Sequence, residues 1–124
     1  MKKILAIVFA IICTNIANSQ NTGGAVVTRT INSTYLQNTG GENPNRRISV
    51  YLPPGYEQSK QRYPVIYYLH GFLTTDTITP GMKTILDMDI AKNKIRPHIL
   101  VIADHFTLYS GSFYSNSSLT GNWS

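Results

Sequence analysis

His70-Gly71-Phe72 closes an uninterrupted apolar run, Val65 to Leu69, and this junction has the clearest capacity for chemistry in the chain. In open α/β sheets, ligands and reacting groups collect beyond the C-terminal ends of the strands. A glycine at such an end lets the backbone turn sharply, so that N–H groups can face the negative charge that develops on an attacked carbonyl. From His-Gly alone, a glycine that merely starts a turn is the better reading. A second group has the residue types of a serine-hydrolase triad: Asp104 and His105 are adjacent, and Ser110, Ser112 and Ser115 follow closely. The chain contains no G-x-S-x-G, however, and a nucleophile elbow needs those glycines. His70 and His98 stand at strand ends without metal-ligand partners at usable spacing, so neither a metal nor another cofactor is expected.

These residues need elements to hold them. AVVTRTI, Ala25 to Ile31, is rich in β-branched residues, and RISVYL, Arg47 to Leu52, alternates apolar with polar positions; both predict strands. Residues 38–45, NTGGENPN, are almost all turn formers and predict an antiparallel connection. PVIYYLHG, Pro64 to Gly71, and HILVIAD, His98 to Asp104, are continuous apolar runs of the kind a strand buried on both faces requires. Between them, Thr79 reads as an N-cap with Pro80 at the first helical position. Met82, Ile85, Leu86 and Ile90 fall on one side of a helix running to about Asn93, with Asp89 intruding on that side and Pro97 as the stop. Strand, helix, strand in that order is a βαβ unit with parallel strands. The fold class is therefore α/β: antiparallel entry strands, a parallel βαβ unit, and an incomplete three-layer sandwich. From His105 onward the chain turns to Ser, Thr, Asn, Gly and aromatics, which predicts an ordered loop rather than a flexible linker.

Taken together, RISVYLPPGY, RYPVIYYLHGF, the helix ending in KIRP, HILVIAD and GSFYSNSSLTGNW resemble the first half of the esterase family of α/β-hydrolases. That family includes esterase D or S-formylglutathione hydrolase, feruloyl and acetyl-xylan esterases, and mycolyltransferases. The match runs in order from Arg47 to Trp123. The resemblance implies that the Phe72 backbone N–H is one oxyanion donor, in a loop shaped by His70 and Gly71. It also implies a place for Asp76 in that loop, either orienting it or touching substrate, with a turn-capping aspartate as the plainer alternative. Trp123 and residues 111–116 resemble segments lining the approach to the site; simple packing explains them equally well. The catalytic order in this fold is serine, acid, histidine, which the Asp104, His105 and serine cluster does not follow. The resemblance thus implies a serine esterase whose nucleophile, acid and histidine all lie beyond residue 124.

Composition bounds what else the chain can be. At 124 residues, 42% hydrophobic and 14% charged, it is one small domain at most. Met1-Lys2-Lys3, an apolar run from Ile4 to Cys13, and Ala17 and Ser19 in an A-x-S arrangement predict a signal peptide over residues 1–19 and a secreted or periplasmic protein beginning at Gln20. The apolar run is too short for a permanent membrane anchor, which needs about 20 residues. Cys13, the only cysteine, would leave with this segment, so no disulfide is expected. Removing Lys2 and Lys3 from the net charge of +5 leaves +3, on basic residues scattered without an aromatic-interleaved stripe, and nucleic acid is not an expected partner. The expected partner is a small-molecule or carbohydrate-linked ester. The rival reading is a secreted non-catalytic carbohydrate-binding or interaction module using Phe113, Tyr114 and Trp123, which would require an all-β fold.

Overall fold

The computed structural model describes residues 23–36 and 40–123. The expected signal peptide, Cys13 and the cleavage point lie outside the described residues, as do Asn38 and Thr39 of the first turn.

Four strands form one mixed sheet: β1 (Ala25–Asn32), β2 (Asn45–Leu52), β3 (Val65–Tyr67) and β4 (Ile99–Ala103), in the order β1-β2-β4-β3. Turn-forming residues between β1 and β2 close an antiparallel pair, with Val27 opposite Val50 and Asn32 opposite Asn45. β4 then pairs antiparallel with β2 and parallel with β3, so the expected entry hairpin and parallel unit are both present. The crossover is α1 (Pro80–Ala91), whose first turn is capped by the Thr79 hydroxyl accepting from the Met82 N–H at 3.2 Å. Asn93, in the left-handed region at φ 55°, ends the helical path before Pro97 is reached. The helix and the parallel pair exclude the all-β architecture that the rival reading needs.

The core lies on one face of the sheet. Tyr51, Leu100 and Ile102 are buried there with Ile78, beneath Met82, Leu86 and Ile90 of α1. Ile85, expected on the same side, is exposed, because the contacting stripe follows the i, i+4, i+8 row and Ile85 leaves it. In β2 the polar alternate positions are the sealed ones. Ser49 and Tyr51 point under the covering layer, whereas Ile48, Val50 and Leu52 are only half-buried on the opposite face. Burial of these hydroxyls is tolerated because each reaches a carboxylate: Ser49 donates to Asp76 at 2.9 Å and Tyr51 to Asp87 of α1 at 2.7 Å.

β3 corrects the expectation of burial on both faces. Val65, Ile66 and Tyr67 are all exposed, as are Tyr68 and Leu69, since β3 is the sheet edge beyond β4 and the described residues put no layer over it. One helical layer, not two, accompanies this sheet among the described residues.

Candidate active-site cleft

Past Tyr67 the chain keeps one more ladder bond, the Tyr68 N–H donating to Val101 O at 2.9 Å, and then leaves the sheet. It folds at once into a tight turn, in which Gly71 O accepts from the Thr74 amide at 3.2 Å and the Thr74 hydroxyl at 2.7 Å. The left-handed step of this turn falls on Leu73, at φ 62°, and not on Gly71 as the sequence suggested. The amides of Phe72 and Leu73 donate to no acceptor among the described residues, and both residues are exposed. N–H groups left without an acceptor at a strand end are available to bind a developing oxyanion.

His70, buried below this turn, is an anchor. Its Nε2 accepts from the His105 amide at 3.1 Å, which requires the tautomer with hydrogen on Nδ1. That hydrogen faces Gly71 O at 3.0 Å and the Thr74 hydroxyl at 3.1 Å. His98 stands at the other end of the sheet, its Nδ1 2.9 Å from Arg96 O, so the topology separates the two histidines.

Residues 105–114 form the facing wall. Thr107, almost fully buried, organises it: its hydroxyl donates to Gly111 O at 2.9 Å and accepts from the Tyr109 and Gly111 amides, both at 3.1 Å. Ser110, Phe113 and Tyr114 all have positive φ, at 70°, 52° and 51°. With Leu73, four of the five non-glycine residues in this region among those described therefore border one cleft, a concentration of strain typical of functional loops. Gly111 is needed for close approach: a Cβ there would come 3.0 Å from the Phe72 ring. Phe72 stacks on Phe113 with centroids 5.3 Å apart and planes 21° from parallel. Tyr114 donates to His70 O at 2.8 Å and packs on His105 at 4.5 Å. The two walls enclose about 170 Å³, with His70, Phe72, His105, Ser110, Phe113 and Tyr114 among the lining residues.

Burial pushes the His105 imidazole down from its usual range, over the opposing effect of its bond to Ala103 O. Burial likewise raises the Tyr114 phenol, partly offset by its contact with His70 O. His105, read from sequence as the start of a loop, thus belongs to the cleft, and so do Ser110 and Ser112. Ser112 uses its hydroxyl to accept from the Tyr114 amide at 3.1 Å, and Asp104 accepts from the Phe106 amide at 2.9 Å, which are turn-closing roles.

Asp76 is sealed, with no side-chain exposure, and its oxygens face Arg47 and Ser49 of β2. These bonds tie the loop after β3 to β2. Desolvation alone would raise its carboxyl, but hydrogen bonds from Arg47 and Ser49 and the Arg47 charge bring it below the ordinary range. Trp123 is absent from the lining of this cleft. It packs on His105 from behind, at 5.5 Å, beneath the Arg46 guanidinium at 4.7 Å. Arg46 in turn pairs with buried Glu42 at 2.8 Å and donates to Phe106 O at 2.6 Å, so Trp123 braces the facing wall from outside. Arg47 and Ser49 escaped the sequence reading because only the fold brings β2 beside residue 76.

Comparison with known proteins matches residues 41–119 to the family described as "Putative esterase". Over 62 residues, 44% of this chain, it is 40% identical to an endo-1,4-beta-xylanase/feruloyl esterase of Xylanibacter ruminicola, and covers 8% of that protein. A solved ferulic acid esterase superposes with a TM-score of 0.57 at 30% identity, over 68% of this chain and 32% of its own. A feruloyl esterase module from Clostridium thermocellum, solved with sinapinate, gives a TM-score of 0.53 over 66% of this chain and 27% of its own; at 23% identity this likeness concerns the fold alone. The chain thus spans a third or less of the length of these relatives.

Proposed function

The chain belongs to the "Putative esterase" family, and from that premise we propose that it forms the oxyanion side of the cleft in an exported carboxylic-ester hydrolase. The observation that carries this reading is a Phe72 amide without an acceptor among the described residues, at the rim of an aromatic cleft. A serine attacking an ester carbonyl generates a tetrahedral oxyanion, and the Phe72 N–H receives it. One such donor contributes ~3 kcal/mol to the transition state. The serine, its acid and its histidine come from sequence outside these 124 residues. That part of the proposal draws support from the lack of G-x-S-x-G in the chain and from its short span on the ferulic acid esterase. Asp104, His105 and the nearby serines keep their local roles.

The substrate we propose is an aromatic acyl ester, of the carbohydrate-linked kind suggested by the feruloyl esterases among the relatives. A cleft walled by Phe72, Phe113 and Tyr114 offers planar faces to a planar acyl group. Export rests on the basic, apolar and small-residue sequence of positions 1–19. No helix among the described residues is long and apolar enough to cross a membrane.

Kinetic assay of the intact gene product on methyl esters of hydroxycinnamic acids tests the reading. Phe72→Pro, which removes the N–H, should lower kcat by about 10²–10³. Residues 20–124 alone should hydrolyse these esters no faster than a denatured control. Saturable turnover by residues 20–124, abolished by Ser110→Ala or Ser112→Ala, would overturn the assignment of the nucleophile.

A further inference from the structure

We propose that Arg47 and Ser49 of β2, acting through Asp76, are positioning residues that determine where the Phe72 amide points. The catalytic consequence rests on the esterase reading; the geometric one does not. The Arg47 fork grips the carboxylate side-on: Nε lies 3.0 Å from each oxygen and Nη2 2.7 Å from Oδ1. The Ser49 hydroxyl donates to Oδ2 at 2.9 Å. Bidentate charge-assisted bonds of this kind fix direction as well as distance. Asp76 is fully buried although Arg47 keeps half its side chain in solvent, so the contact is inserted from the loop into the sheet.

The loop is held at both ends. At one end His70 is pinned by the His105 amide; at the other Asp76 is pinned to β2, and Ile78, two residues on, enters the core. Between these posts stand the five residues from Gly71 to Thr75, including the Phe72 and Leu73 amides that have no acceptor among the described residues. Arg47 closes the figure, because its backbone O accepts from the Asp104 amide at 2.9 Å, one residue before His105. A single circuit of hydrogen bonds therefore runs from the Arg47 carbonyl through Asp104 and His105 to His70, along the turn to Asp76, and back to the Arg47 guanidinium. Both walls of the cleft refer their positions to one residue of β2. A misplacement of ~1 Å in a reacting group lowers turnover by as much as about 10²-fold.

Two measurements on the intact gene product test this: steady-state kinetics on a methyl hydroxycinnamate, and amide hydrogen exchange read separately for the Thr74 and His105 amides, whose bonds to Gly71 O and His70 Nε2 hold the loop, and for the β1–β2 hairpin. Asp76→Asn keeps the shape and removes the charge; Arg47→Lys keeps the charge and removes the fork. Asp76→Asn should lower kcat about 10–100-fold with KM changed by less than about threefold, and speed exchange at Thr74 and His105 while the hairpin keeps its protection. Arg47→Lys should fall between it and the wild type. An unchanged kcat, or a kcat loss that tracks hairpin exchange and hence the folded fraction, overturns the proposal. A wild type that hydrolyses no ester defeats the esterase reading instead. Exchange then decides the geometric claim: faster exchange confined to Thr74 and His105 upholds it, and unchanged exchange at both overturns it.

Discussion

Two tyrosines in one sheet show how differently its halves are built. Tyr51 of β2 has no exposure, while Tyr67, two strands away on β3, is 73% exposed. Tyr51 lies opposite Leu100, beneath α1, and its hydroxyl has Asp87 as acceptor. Tyr67 belongs to a more apolar stretch of sequence but to an edge strand over which the described residues put no layer. Burial here follows from what the chain supplies as cover, and a continuous apolar run is a demand for partners rather than evidence of them. On the proposed function, the rest of the esterase meets that demand on β3; the solved ferulic acid esterase is about three times as long as the part this chain matches.

The widest contrast should come from truncating both halves. Tyr51→Ala should cost about 3–5 kcal/mol in denaturant unfolding, whereas Ile66→Ala, at a site 47% exposed in this structure, should stay within about 1 kcal/mol in residues 20–124. Equal costs would mean that β3 is covered in solution, for instance by a second copy, and the comparison would collapse. Next in size, Tyr51→Phe removes the bond to Asp87 and should cost about 1.5–3 kcal/mol; a neutral result would assign the sealing to packing alone.

Acidification sharpens the same contrast in two windows. The His105 ring is held below its ordinary range by burial, so its contribution is present above about pH 6.5 and lost as pH falls below that. For Asp76 and Asp87, desolvation is outweighed by hydrogen bonds from Arg47 and Ser49, and from Lys83, Tyr51 and Gly24. Their contribution is present above about pH 4 and lost on further acidification. Thermal unfolding against pH should show both steps, with His105→Gln removing the upper and Asp76→Asn weakening the lower. The smallest effect belongs to Phe113→Ala, at a ring 76% exposed. Stability should move by no more than about 0.5 kcal/mol, while KM for an aromatic ester rises; an unchanged KM would remove Phe113 from the proposed acyl face.

Local pattern carried the sequence reading a long way. The Thr79-Pro80 helix start, the turn-rich connection before β2 and the two apolar strands around a helix each follow from nearest neighbours along the chain. His70-Gly71-Phe72 was placed at a strand end for the same reason. What stayed hidden depends on contacts distant in sequence. Nothing in RISVYL indicates that Ser49 and Tyr51 face inward, because the carboxylates that make this tolerable lie on the loop after β3 and on α1. Ile85 looked like its neighbours Met82 and Leu86 because a four-residue spacing and a three-residue spacing both suit an amphipathic helix. The role of His105 arises from its backbone amide, which no side-chain pattern reports.

The strand order also has a history in time. β2 finds β1 as soon as the hairpin is made, but its other neighbour, β4, begins only at Ile99. At about 5–20 residues per second, several seconds of synthesis separate the end of β2 from the start of β4, and any hairpin formed in that interval has one bare edge. Two adjacent arginines, Arg46 and Arg47, stand at the start of that edge strand, where charge discourages pairing with a stranger. Asp76 leaves the ribosome before β4 does. The guanidinium that later anchors the cleft can therefore spend its first seconds as a guard and find its carboxylate while the sheet is still unfinished.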